Sequence, residues 1–129
     1  MVCLDSDILI NFLRNKREAI TIIQELKKTK QQLVTTSINS FELFKGIEDF
    51  SKLNESKIIG FLNNFAILDF NLESSKKAAE IFNSLKSQGQ IIDFADVMIA
   101  SIAIVNNQSF LTQNKKHFEN IKELSSYDY

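Results

Sequence analysis

The sequence predicts an α/β fold with a mainly parallel central sheet of four or five strands. Three observations carry this. Four short apolar runs read as strands: "VCLD" (2–5), "QLVTTS" (32–37), "FAILDF" (65–70) and "SFLT" (109–112). Longer segments with apolar residues at helical spacing lie between them. Strands that alternate with helices build βαβ units, and these form parallel sheets. The chain has 129 residues, no proline and three glycines, with no linker composition or internal repeat, so 1–129 reads as one domain.

Each element has its own reason. The run at 2–5 is continuously apolar and ends in a carboxylate, as expected of a strand buried on both faces. Cys3 within it is expected as a small buried hydrophobe, since a lone cysteine forms no internal disulfide. Ile20, Ile23 and Leu26 mark a helix that gives way to the polar "KKTKQQ" (27–32). After the second strand, Ser37 or Asn39 is placed to cap a helix reaching about Phe50, with Phe41, Phe44 and Ile47 as its apolar stripe. Asn71 precedes a helix carrying Leu72, Ala78, Ala79, Phe82 and Leu85, which Gly89 stops. Asp93 opens a last helix through about Val105. Phe41, Phe44, Phe82 and Phe110 are expected in the core rather than as base-stacking platforms.

Charge narrows the function. Fifteen Lys and Arg against sixteen Asp and Glu give a formal net charge of −1. A protein that holds nucleic acid by bulk electrostatics is basic, so action on nucleic acid here requires local clusters or a metal ion. The clusters are Arg14, Lys16 and Arg17; Lys27, Lys28 and Lys30; and Lys115 and Lys116. Each alone reads first as a solvated helix face. No apolar run approaches the ~20 residues that span a bilayer. The start "MVCLDSD" lacks the basic region of a secretion signal. The expectation is a cytoplasmic protein with no membrane contact.

The acids are the informative residues. "IIDFADVMIAS" (91–101) is mostly apolar, yet it carries Asp93 and Asp96. A carboxylate entering a core needs a cation, donors or a metal. Asp5 ends the first strand, Glu42 lies early in the helix after the second, and Asp96 opens the helix before the fourth. In parallel sheets, sites form beyond the carboxyl ends of the strands. Three carboxylates converging there repel one another, and a divalent cation relieves this. Oxygen ligands suit Mg²⁺ or Mn²⁺, which lower the pKa of a bound water and clamp a phosphodiester oxygen. No cysteine–histidine set has zinc spacing. Asp93 reads as an N-cap before it reads as a ligand, and Asp7 reads equally as a cap of the first helix or an acid beside the metal. His117 reads as a surface residue, and Asp49 and Asp69 as structural. Asp96, Ala100 and Ala103 share one helix face, whose small residues allow close packing on the sheet.

Four segments, in order, resemble the PIN-domain ribonucleases that serve as VapC toxins in VapBC toxin–antitoxin pairs. "LDSDILINFLR" (4–14) resembles the family's opening D-T-N-x-L-I motif. "TTSINSFELFKG" (35–46) resembles T-S-x-x-x-x-E-L-x-x-G. "DVMIASIAI" (96–104) resembles D-x-L-I-A-A-x-A, and "FLTQNKKHF" (110–118) resembles L-V-T-R-N-x-x-D-F. The resemblance implies a PIN-like three-layer α/β/α sandwich. It places Asp5, Glu42 and Asp96 on three acidic ligands of Mg²⁺ or Mn²⁺, with Asn114 on a fourth position; Asp93, outside these motifs, is a secondary candidate. Ser37 and Thr112 match polar residues that shape the site, joined by Asp7. Asp7, Gln113 and His117 depart from the usual Asn or Ser, Arg and Asp. The implied activity is endoribonucleolytic cleavage leaving a 5′-phosphate and a 3′-hydroxyl. The implied partners are an RNA substrate, a cognate antitoxin protein and a second copy of the chain.

Other readings remain open on the residues alone. A housekeeping PIN nuclease and a non-catalytic PIN-fold binding module share the same motifs. A phosphoacceptor receiver domain also gathers acids at strand ends, but "FNLESS" after Asp69 and "LTQNKK" after the last strand suit it poorly.

Overall fold

The computed structural model describes residues 1–49 and 54–128, with Glu48 and Asp49 described by backbone alone. Strands β1 (Val2–Leu4), β2 (Leu33–Thr36), β3 (Ala66–Leu68) and β4 (Ser109–Leu111) form one sheet in the order β3-β2-β1-β4. Every pairing is parallel, with Val2 opposite both Leu33 and Ser109. The C-terminal tail adds a single parallel bridge, Phe110 to Ser126, on the outer side of β4.

The strands distribute their side chains alternately to two cores, as the period of two requires. Val2, Leu4, Leu33 and Leu111 pack with Ile8, Leu9, Ile22, Ile23 and Leu26 on one face. Those partners come from helices α1 (Ser6–Leu13) and α2 (Arg17–Lys28). Cys3, Val34 and Phe110 pack on the other face with Ala78, Ile81, Leu85, Ala100 and Ala103. These come from helices α5 (Leu72–Ser87) and α6 (Phe94–Val105). The result is the α/β/α sandwich. Ala100 and Ala103 are both fully buried, so the small-residue face of α6 does meet the sheet side. Burial and the nearby Asp5 push the Cys3 thiol well above the ordinary cysteine range, so it behaves as a hydrophobe.

Several expectations need correction. Helix α3 (Ser37–Lys45) is capped by Thr36, not by Ser37 or Asn39: the Thr36 hydroxyl accepts from Asn39 N–H at 3.1 Å. A 3-10 turn (Gly46–Asp49) follows α3, and the expected end at Phe50 lies outside the described residues. Asn39 and Leu43 are the residues of α3 that point inward. Phe41 and Phe44 therefore face outward, at 61% and 37% exposure. The ammonium of Lys45 sits 5.9 Å from the centre of the Phe41 ring. On α5 the inward residues are Ser74, Ala78, Ile81 and Leu85, leaving Leu72 and Ala79 exposed. Helix α4 (Glu55–Leu62) has no counterpart in the sequence reading; Asn54 caps it, and Ile58 and Leu62 enter the core. Asn71 and Asp93 cap α5 and α6 as expected, and Gly89 takes a positive φ of 73° beyond α5.

Candidate active site

The strand order reverses at β1: the chain moves outward from β1 to β2 and β3, then crosses to β4 on the other side. Such a switch opens a crevice beyond the carboxyl ends of the flanking strands. Asp5 follows β1 and Thr112 follows β4, and the Thr112 hydroxyl donates to Asp5 Oδ2 at 2.8 Å.

Asp5 is 6% exposed. Its Oδ1 accepts from Ser6 N–H at 2.8 Å, so it caps α1. The same oxygen accepts from Asn39 Nδ2 at 3.1 Å. Asn39 is fully buried and fully engaged. Its Oδ1 accepts from the Thr36 hydroxyl at 2.7 Å, and its Nδ2 also donates to Ser6 Oγ at 2.7 Å. Ser6 in turn donates to Glu42 Oε1 at 2.7 Å. A chain of hydrogen bonds thus runs from the cap of α3 through Asn39 and Ser6 to Glu42, with Asp5 attached to it.

Asp7 does not cap α1. Its Oδ1 accepts from Ile8 N–H at 2.7 Å, and its Oδ2 accepts from Gln113 N–H at 2.8 Å. Thr112 Oγ1 lies 3.2 Å from the same Oδ2, so one hydroxyl stands between Asp5 and Asp7. Asn114 is exposed, and its backbone N–H donates to Thr112 Oγ1 at 3.0 Å. Ser37 departs from expectation: its hydroxyl accepts from Phe70 N–H at 3.3 Å and bonds no carboxylate among the described residues. Ser6 and Asn39, which the sequence did not single out for the site, donate to Glu42 and Asp5 instead.

Asp96 is half-buried in the first turn of α6, with Asp93 exposed one turn earlier and its side chain accepting from Ala95 N–H. His117 Nδ1 lies 3.4 Å from Asp96 Oδ2. Burial first, then Asp7 and Glu42, push the Asp5 carboxyl up to about 7, against the pull of its Thr112 and Ser6 bonds. Burial first, then the Asp93 and Glu42 charges, raise Asp96, against the pull of His117. Glu42 therefore acts on both aspartates, and negative potential concentrates between them. Among the described residues no three His, Cys, Asp or Glu side chains stand as a preformed metal group, and Glu42 Oε1 is engaged by Ser6.

One pH dependence follows. An unfolded aspartate titrates near 3.8, so between about 4 and about 7 folded Asp5 keeps a proton that the unfolded chain has lost. The stabilisation is complete below the lower value and disappears as pH rises through the upper one. Melts in EDTA should therefore show a higher midpoint at about pH 5.5 than at about pH 7.5. A midpoint that climbs instead across this interval contradicts the raised Asp5.

A family model described as PIN domain matches residues 2–124. The chain is similar to ribonuclease VapC1 of Methanocaldococcus jannaschii, at 31% identity over 98% of this chain and 87% of that protein. It is similar to ribonuclease VapC2 of Rickettsia felis, at 30% identity over 94% and 92%. Among solved structures it is similar to a chain of VapBC2 from Rickettsia felis bound to a DNA fragment from their promoter. That likeness has a TM-score of 0.87 and 28% identity, covering 100% of this chain and 99% of the other.

Proposed function

The chain belongs to the PIN-domain family, and from that premise we propose that it is an endoribonuclease toxin whose activity depends on Mg²⁺ or Mn²⁺ and is held in check by a cognate antitoxin protein. The observation that carries the reading is Asp5. A carboxylate buried at the β1–β4 crevice, flanked by Asp7 and Glu42 and pushed up to about 7, is an anion short of a cation. The donors around it are oxygens, which suits a hard divalent ion. Asp5, Glu42 and Asp96 would hold the ion, with Asn114 or Asp93 at the margin. When bound, such an ion activates water and neutralises charge on a phosphodiester.

The chain's own residues do the rest. Asn39 and Thr112 fix the two Asp5 oxygens. Ser6 keeps Glu42 close until it is needed as a ligand. Lys116 lines the same cleft as Asp96 and supplies a cation for the RNA backbone. The antitoxin assignment rests on the VapC relatives and on the VapBC2 pair to which this fold is similar. A cleft of negative potential attracts a basic side chain, so such a partner would place Arg or Lys near Asp5 and Asp96. A homodimer in solution completes the proposal.

The test is cleavage of single-stranded RNA in Mn²⁺ and in EDTA. Cleavage should require the ion. Asp96→Asn should slow it about a hundredfold or more with the fold intact. Asp93→Asn keeps a good N-cap and should retain most of the rate. Equal rates in EDTA and Mn²⁺, or an Asp96→Asn enzyme as fast as the parent, would overturn the assignment.

A further inference from the structure

Asp96 also borders a cleft of about 270 Å³, whose lining includes Ile91, Ile92, Lys116, His117 and the amides of Gln90 and Asn120. Its walls come from different parts of the chain. Residues 90–93 link α5 to α6, whereas Lys116, His117 and Asn120 follow β4. His117 Nδ1 faces Asp96 Oδ2 across the cleft at 3.4 Å, and Asn120 Nδ2 donates across it to Gln90 Oε1.

That bond fixes the outlook of both amides. It uses the Gln90 acceptor and an Asn120 donor. Gln90 Nε2 and Asn120 Oδ1 make no other side-chain hydrogen bond among the described residues. A donor on Gln90 and an acceptor on Asn120 are thus left over, the two kinds of group with which carboxamides read a nucleobase edge. Ile91 is fully exposed at the same wall, at 102%, and Ile92 is half-buried beside it. Together they offer an apolar surface for the flat face of a base. Lys116 stands opposite as a backbone counter-charge. Sequence-specific reading of RNA works on such unpaired, splayed bases. The volume lies just under the roughly 300–1,000 Å³ of pockets that hold drug-sized ligands, which suits one base and little more.

We infer that this cleft is a nucleotide subsite: the Gln90–Asn120 amide pair reads the edge of one unpaired RNA base next to the scissile phosphate. The inference rests on the nuclease reading above. Gln90 and Asn120 are specificity residues, and they act on which bond is cut.

The probe is a randomised single-stranded RNA pool, cleaved by the whole chain in Mn²⁺, with the product ends sequenced. The parent should show a preference of about tenfold for one base at a single position within two nucleotides of the cut. Gln90→Ala and Asn120→Ala should each flatten that position to within about twofold, leaving preferences elsewhere in place. Gln90→Glu keeps the acceptor toward Asn120 but loses the free donor, so it should change which base is preferred. Both side chains are exposed, and unchanged melting midpoints establish that the variants are folded. A parent with no base preference near the cut, or variants that keep the parent's profile, overturns the subsite alone. A parent that cuts no RNA overturns the nuclease reading, and the subsite with it.

Discussion

Asp5→Asn is expected to abolish RNA cleavage while making the metal-free protein more stable at about pH 7.5. The side chain keeps its shape. The new amide oxygen still accepts from Ser6 N–H and Asn39 Nδ2, which now hold Asp5 Oδ1. The new amide nitrogen replaces Oδ2 and donates to Thr112. The Thr112 proton then turns to Asp7 Oδ2, already 3.2 Å away. No buried polar atom is stranded, and one buried charge beside Asp7 and Glu42 is gone. Lifting a carboxyl from 3.8 to about 7 corresponds to roughly 4 kcal/mol at most, so the gain should reach a few kcal/mol in EDTA. The fall in stability between about pH 5.5 and 7.5 should largely vanish. Added Mn²⁺ should raise the parent's midpoint by mass action and affect the variant far less. Parent-level cleavage by the variant, or an unaltered pH slope, would show that Asp5 is neither the key ligand nor the titrating group.

The strands and the caps of α5 and α6 were legible because their signals are local. "VCLD" is apolar without a break because β1 lies between two strands and under helices on both faces. Asp93 and Asn71 announce caps by their position before periodic segments. Phase was harder to read. On α3 the cap is Thr36 rather than Ser37 or Asn39, and the inward residues are Asn39 and Leu43 rather than Phe41 and Phe44. The signal was present: Thr36 and Asn39 stand three apart, as the ends of a capping box do, with Asn in place of the usual Glu or Gln. Ser6 carries no such mark. Its role arises only when α1 and α3 meet, which places Glu42 and Asn39 beside it across 36 and 33 residues. Helix α4 was missed because eight residues with Gly60 inside give a weak periodic signal, and packing of Ile58 and Leu62 supplies what propensity does not.

Asn39→Ala should damage both stability and cleavage, more than any other neutral residue of the site. Asn39 makes four hydrogen bonds to three residues: Thr36 through its side chain and its backbone, then Asp5 and Ser6. Truncation leaves the buried Thr36 hydroxyl without its acceptor and removes one donor from the buried Asp5 carboxylate. Each unsatisfied buried group costs about 1–3 kcal/mol, and the cavity adds to this, so a loss of roughly 3 kcal/mol is expected. Cleavage should fall about tenfold or more, because neither Asp5 nor the Ser6–Glu42 pair is then held in place. Asn39→Asp separates the two causes. It preserves volume and the acceptor for Thr36, but puts a carboxylate oxygen where an N–H faced Asp5 at 3.1 Å. In EDTA this variant should be strongly destabilised at about pH 7.5 and recover toward about pH 5.5, as a shared proton restores one donor between the two acids. The alanine variant has no proton to gain there beyond that of Asp5, so its deficit should persist. If Asn39→Ala melts within about 0.5 kcal/mol of the parent, the shift expected of an ordinary surface substitution, the hydrogen-bond chain from Thr36 to Glu42 does not hold the site together.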